Sequence, residues 1–173
     1  MTISDDRMHH QGESRKWIMD QVNLRFVPQV LVVPVGAAVD FPNSDTVSHQ
    51  VYSFSKAKSF QLPLYKGKLH PPVTFEKPGL IVLGCNIHDE MIGYIYVTPA
   101  QWFGRTDANG VFHTADVTTD KVTVTIWSPY IADADKVLTR SVDVHDATRI
   151  DFKLNKPLRN SPEPRPRNPE WDY

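Results

Sequence analysis

The amino-acid sequence predicts an all-β protein built as a sandwich of packed sheets. Few stretches show the periodicity of an amphipathic helix. Runs rich in valine, isoleucine, threonine, tyrosine and phenylalanine recur instead, and proline, glycine, asparagine and aspartate separate them. The spacing of these runs and turns favours a sandwich over a parallel sheet that alternates with helices.

The N-terminal part of the chain holds a first series of candidate strands, each bounded by turn-forming residues. The run Leu-Ile-Val-Leu at 80–83 is continuously apolar, so it predicts a buried strand. The predicted strands are residues 17–26, 30–33, 38–41, 49–53, 58–63, 73–75, 79–84 and 93–97.

A second β-rich segment follows the Thr-Pro pair at 98–99. A strong turn signal, Thr-Asp-Ala-Asn-Gly at 106–110, precedes four alternating runs. Four short strands are marginally stable by themselves, so we expect this segment to pack on the first domain. Its predicted strands are residues 111–117, 121–127, 136–144 and 148–154.

The two ends of the sequence differ in composition from the β-rich parts. Residues 1–16 are polar and predict a flexible leader, in which His9 and His10 are either solvated or a minor copper-collecting pair. Residues 156–173 are rich in proline and arginine and predict an extended or disordered tail. The predicted organisation is thus a leader at 1–16, a first domain at 17–98, a second β-module at 99–155 and a tail at 156–173.

Composition excludes several classes of function. The 19 basic and 20 acidic residues give a formal net charge of -1, which argues against a nucleic-acid-binding surface. No apolar run approaches the roughly 20 residues that a membrane-spanning helix needs, and we expect no signal peptide in the polar N-terminal residues. A single cysteine excludes an intramolecular disulfide and a zinc ribbon.

The segment from Cys85 to Met91 carries the strongest chemical signal. A thiol, an imidazole and a thioether recur there at every third position, at Cys85, His88 and Met91. Soft sulfur with imidazole suits copper better than calcium or magnesium, and two imidazoles, a thiolate and a distant thioether are typical of electron-transfer copper sites. His49, which follows a turn-rich segment, is the candidate second imidazole.

The surrounding sequence explains how such a site would be held. Cys85 follows the apolar run and is expected at the end of a buried strand, while the strand predicted at 93–97 resumes soon afterwards. His88 and Met91 therefore lie on a short loop that is anchored at both ends. Two alternatives stay open: a zinc site completed by Asp89 or Glu90, and a Cys-His nucleophilic pair, which would leave Met91 unexplained.

These motifs resemble those of the cupredoxins, the blue copper proteins. More specifically, the chain resembles bacterial cupredoxin-like proteins often labelled methylamine utilization proteins. The likeness covers roughly residues 17–115 and includes Phe-Pro-Asn-Ser-Asp at 41–45 and Gly-Cys-Asn-Ile-His-Asp at 84–89. It implies a Greek-key β-sandwich and a type 1 copper centre. The ligands it implies are His49, Cys85, His88 and Met91.

The resemblance also implies a function. It implies a non-enzymatic periplasmic carrier that passes single electrons between redox partner proteins. Copper sequestration or tolerance is one alternative, and a non-catalytic interaction module is another. Two positions depart from the family pattern: Gln50 stands where many members have asparagine, and Glu90 stands where many have an aromatic residue. The second segment more loosely resembles transthyretin-like or carboxypeptidase-regulatory-like modules.

Overall fold

The computed structural model describes residues 2–4, 16–67, 70–115, 117–132, 136–144 and 149–159. These residues form strands, turns and bends, and they include no helix of the length and apolarity that crossing a membrane requires. The strands are β1 (Thr2–Ser4), β2 (Trp17–Ile18), β3 (Asp20–Val22), β4 (Arg25–Val27), β5 (Val30–Pro34), β6 (Ala37–Asp40), β7 (Val51–Ser55), β8 (Lys58–Gln61), β9 (Val73–Phe75), β10 (Gly79–Cys85), β11 (Ile92–Thr98), β12 (Trp102–Phe103), β13 (Lys121–Trp127) and β14 (Val137–Asp143).

Two sheets form the main body. One has five strands in the order β5-β11-β10-β7-β8, and the other has three in the order β2-β6-β9. The chain crosses between the sheets from β5 to β6, from β6 to β7, from β8 to β9 and from β9 to β10. Repeated crossing of this kind is typical of Greek-key sandwiches. The predicted all-β sandwich is therefore confirmed.

The core lies between these two sheets. Side chains alternate along β10 and β11, so that Ile81, Leu83 and Ile95 are fully buried while their neighbours face outwards. Val39 of β6 and Phe75 of β9 are fully buried in the same cluster. Burial of apolar side chains on one face holds each strand in register, because a shift by one residue would expose that face.

The strand predicted at 17–26 is wrong as one continuous element. Residues 20–27 form a hairpin of β3 and β4 instead. Its turn residues, Asn23 and Leu24, have positive φ angles of 51° and 59°. This is the backbone of the tight turns that connect antiparallel strands, and asparagine adopts it more readily than most residues.

The second β-module has its own sheet, in the order β12-β1-β13-β14. Trp127 packs against Tyr94 and Tyr96 on the outer face of the five-stranded sheet, with ring centroids 5.4 and 5.8 Å apart. The Tyr130 hydroxyl also donates a hydrogen bond to Gln29 over 2.8 Å. The module is thus packed on the first domain, as its marginal size led us to expect.

Some predictions for the module need correction, as does one for the leader, and those for His9, His10 and most of the tail lie outside the described residues. Residues 2–4, expected in the leader, form β1, because their backbone pairs with β12 and β13 on either side. The described residues of 111–117 and 148–154 form no strand. Their apolar side chains, including Phe112 and Phe152, pack on the small core of the module without strand pairing. His9, His10 and residues 160–173 lie outside the described residues.

Candidate metal centre

The side chains of His49, Cys85 and His88 meet at one end of the sandwich. The Sγ atom of Cys85 lies 3.6 Å from Nδ1 of His49 and 3.8 Å from Nδ1 of His88. The two Nδ1 atoms are 3.2 Å apart. Three of the four predicted ligands therefore present one donor atom each to a common point.

The strands explain why these residues meet although His49 and Cys85 are far apart in sequence. Cys85 is the last residue of β10, and it pairs with Val51 at the start of the neighbouring strand β7. His49 precedes β7 and is fixed by two backbone hydrogen bonds of 3.0 Å with Tyr65. Both side chains thus leave adjacent strands at the same end of the sheet, and each is almost completely buried.

His88 lies on the six-residue loop between β10 and β11, as predicted. The amide of Met91 donates a hydrogen bond of 2.9 Å to the carbonyl of His88, which closes a turn before β11 begins. His88 is half-buried, whereas Met91 is only 1% exposed and belongs to the same core cluster as Cys85. The loop is therefore anchored by a buried side chain at its second end.

The three donor atoms fit a copper ion. A point equidistant from them lies about 2.1 Å from each, which falls within the roughly 2.0–2.3 Å that nitrogen and sulfur ligands keep from a borderline metal ion. Two imidazoles and a thiolate in a trigonal set suit copper. The acidic residues Asp89 and Glu90 are exposed and, within the described chain, do not belong to this donor group, which argues against the zinc alternative.

The thiol of Cys85 is prepared for metal binding by its neighbours. Burial raises its pKa, but the hydrogen bond with His49 opposes this effect. The backbone of Ile87 and Gln50 and the ring of His88 act in the same direction, so that the pKa falls from 9.0 to about 6. Because the thiolate is the form that binds metals, the site holds the ligand in its reactive form at neutral pH.

Asp45 is the functional residue that sequence reasoning missed. Its Oδ2 atom lies 3.2 Å from Nε2 of His49, and the two side chains are 3% and 0% exposed. Burial lowers the pKa of His49, but its hydrogen bonds with Cys85 and Asp45 outweigh this effect and raise it. The only signal in the sequence is that Asp45 belongs to the turn-rich segment before His49, and this does not reveal where its carboxylate points.

Gln50 links the segment of His49 to the segment of Cys85. The side-chain amide of Asn86 donates a hydrogen bond of 3.0 Å to Oε1 of Gln50, and the Asn86 backbone amide donates to the Gln50 carbonyl, also over 3.0 Å. The residue after His49 is thereby joined to the residue after Cys85.

The apolar surroundings of the site are only partly those expected from the sequence. The sequence offers Leu83, Ile87 and Ile92 as candidates for a dry wall around the thiolate. Leu83 is fully buried, but Ile87 and Ile92 are 49% and 44% exposed. Ile87 lies beside His88 on the loop, and Ile92 faces outwards at the start of β11, so the expectation is wrong for these two. They add apolar surface near the site instead of shielding it.

Comparison with known proteins returns solved structures alone, since no family model and no curated protein matches the chain. A purple cupredoxin from Nitrosopumilus maritimus is 25% identical, with 47% of this chain and 96% of that chain covered at a TM-score of 0.41. A copper-containing nitrite reductase from Thermus scotoductus is 27% identical, and the match covers 55% of this chain and 25% of that chain at a TM-score of 0.46. A reduced mutant of amicyanin is 21% identical, and the match covers 51% of this chain and 87% of that chain at a TM-score of 0.45.

The chain has a sandwich of two β-sheets and a donor set of two imidazoles and one thiol. The likenesses to solved structures cover about half of the chain at TM-scores below 0.5. The metal centre is therefore defined by the strand order and the three donor atoms of this chain.

Proposed function

We propose that this protein is a type 1 copper protein that carries single electrons between redox partner proteins. The observation that supports the proposal most is the convergence of two Nδ1 atoms and one Sγ atom within 3.8 Å of one another at the end of a rigid sandwich. When bound, copper would supply the one-electron chemistry by alternating between its two common oxidation states.

The placement of the donors suits electron transfer. Strand pairing fixes Cys85, the two backbone bonds with Tyr65 fix His49, and the anchored loop holds His88. Because the backbone fixes all three, little needs to move between the oxidised and the reduced state. A site for copper storage gains nothing from such rigidity, so this feature favours the carrier over the sequestration alternative.

Met91 and His88 have separate roles in the proposal. Met91, buried in the same core cluster as Cys85, would be a weak ligand that tunes the reduction potential. His88 is half-buried, and its neighbour Ile87 is 49% exposed, so the loop offers an apolar surface next to a ligand. We infer that electrons enter and leave through the His88 ring, and that the protein works in the periplasm, as the resemblance implies.

Voltammetry of the copper-loaded protein tests the proposal. An electron carrier should give a reversible one-electron wave, and Met91→Leu should shift its potential while the protein still binds copper through the thiolate. A protein that binds copper tightly but gives no reversible wave would support sequestration instead. An unchanged potential in Met91→Leu would show that Met91 is not a ligand, and Met19→Leu, at another buried methionine of the same core, is the matched control.

A further inference from the structure

Asp45 and His49 form a buried contact behind the donor group. It contacts the imidazole nitrogen that faces away from the donor group, at 3.2 Å, while the other nitrogen lies 3.6 Å from the Cys85 sulfur. Both side chains are almost completely inaccessible to solvent. A buried carboxylate on one side of an imidazole and a thiolate on the other leave the ring little freedom to turn.

The carboxylate itself is held by the backbone. The amide of Leu24 donates to its Oδ2 atom over 2.7 Å, and the amide of Thr46 donates to its Oδ1 atom over 2.8 Å. The amide of Asp45 in turn donates to Oδ1 of Asn43 over 2.9 Å. Leu24 can reach the carboxylate because the β3–β4 turn adopts positive φ angles there. The β3–β4 hairpin therefore helps to fix the carboxylate of Asp45.

We propose that Asp45 is the positioning residue of the metal centre: it holds Nε2 of His49 in the protonated form, directs Nδ1 at the metal, and places a fixed negative charge behind the ligand. This proposal rests on the proposed function for the metal, although the orientation of the His49 ring can be tested without it.

The chemistry of the two groups supports this role. An ionised carboxylate only accepts hydrogen bonds, so the nitrogen of His49 that faces Asp45 must carry the proton. In the neutral ring, which is the form that binds a metal, the lone pair is then on Nδ1, on the side of Cys85 and His88. Partners of this kind, outside the ligand set, fix the tautomer of a metal-binding histidine and increase its basicity.

The charge of Asp45 has a second consequence. A negative charge behind His49, in a place closed to water, favours the copper state with the higher positive charge, because it is screened less there than at the surface. The carboxylate therefore stabilises oxidised copper more than reduced copper. Removing the charge should raise the reduction potential of the centre.

Asp45→Asn tests the proposal, with Asp20→Asn as the matched control. Asp20 is also a carboxylate that anchors this loop, since it accepts hydrogen bonds from Ser44, but it does not contact His49. In Asp45→Asn we expect Cu(II) affinity to fall by about 10- to 100-fold and the reduction potential to rise. Asp20→Asn should change neither. Asp45→Glu, which keeps the charge, should recover part of the affinity.

Nitrogen chemical shifts of the His49 ring in the metal-free protein provide the readout that does not depend on copper. At a pH high enough for the His49 ring to be neutral, the wild type and Asp20→Asn should show the tautomer protonated at Nε2, and Asp45→Asn should show a mixture. If Asp45→Asn keeps the wild-type tautomer and the wild-type potential, Asp45 is not a positioning residue. If both variants lose affinity equally, Asp45 contributes only to folding of the loop. A wild type that binds no copper but shows the expected tautomers would refute the proposed function and leave the positioning intact.

Discussion

The link between Gln50 and Asn86 yields the most detailed prediction, because it joins the two ligand segments through one side-chain contact. Asn86→Ala removes the hydrogen bond of 3.0 Å but leaves the backbone bond between the same residues. A solvent-exposed hydrogen bond between neutral groups contributes about 0.5–1 kcal/mol, at the lower end of the usual range. We therefore expect Asn86→Ala to lower the free energy of unfolding of the metal-free protein by this amount.

A double-mutant cycle separates the link from the individual side chains. Asn86→Ala, Gln50→Ala and the double variant should show an interaction energy of about 0.5–1 kcal/mol in urea unfolding. Since the link holds the segment of Cys85 against that of His49, each variant should also weaken copper binding by about 2- to 5-fold. Gln61→Ala, at an exposed position of β8, is the control. Additive effects of the two variants would refute the reasoning.

Three further predictions concern packing and pH. Gly93→Ala should cost about 1–3 kcal/mol of stability in chemical unfolding, because its Cβ would lie 2.7 Å from Cβ of the buried Phe26. Gly84→Ala should cost less, since it meets the ring end of Tyr52, which can turn away. Trp127→Ala should cost about 1–3 kcal/mol through lost aromatic contacts and leave the copper site unchanged in its visible spectrum. Burial raises the pKa of Tyr65 from 10.0 to about 12. The stabilisation from its protonated hydroxyl should therefore be fully present below pH 10, and the free energy of unfolding should fall by roughly 2–3 kcal/mol as pH rises through 12.

Each of these predictions has an outcome that contradicts it. Equal losses in Gly93→Ala and Gly84→Ala would mean that Phe26 gives way as easily as Tyr52 does. A changed copper spectrum in Trp127→Ala would show that the second module supports the site. Tyr65→Phe should lose less stability between pH 10 and 12 than the wild type, and an identical loss in both would mean that another group titrates.

The sequence predicts the sandwich and three donors of the site for clear physical reasons. Strands with one buried face produce regular alternation, and the continuously apolar run before Cys85 predicts that the thiol is buried. Soft donors at short intervals are rare enough to identify Cys85 and His88 together. His49 can be identified because turn formers give way there to a strand-like run, and the structure places it beside the end of β10.

The features that the sequence does not reveal depend on tertiary contacts. The positive φ angles at Asn23 and Leu24 turn one apparent strand into a hairpin. The sequence does not predict this turn, because leucine rarely adopts this backbone region. Asp45 stands four residues before His49, a spacing that predicts contact in a helix but has no such meaning in a loop. Its role depends on the hairpin, which is far away in sequence.

Titration of the metal-free protein with Cu(II), followed by visible absorption, tests the central claim most directly. Donation from the Cys85 thiolate to copper should produce an intense band that reaches its maximum at one copper per chain, and Cys85→Ser should abolish it. A colourless product in the wild type, or a band that persists in Cys85→Ser, would contradict the assignment of a type 1 copper centre.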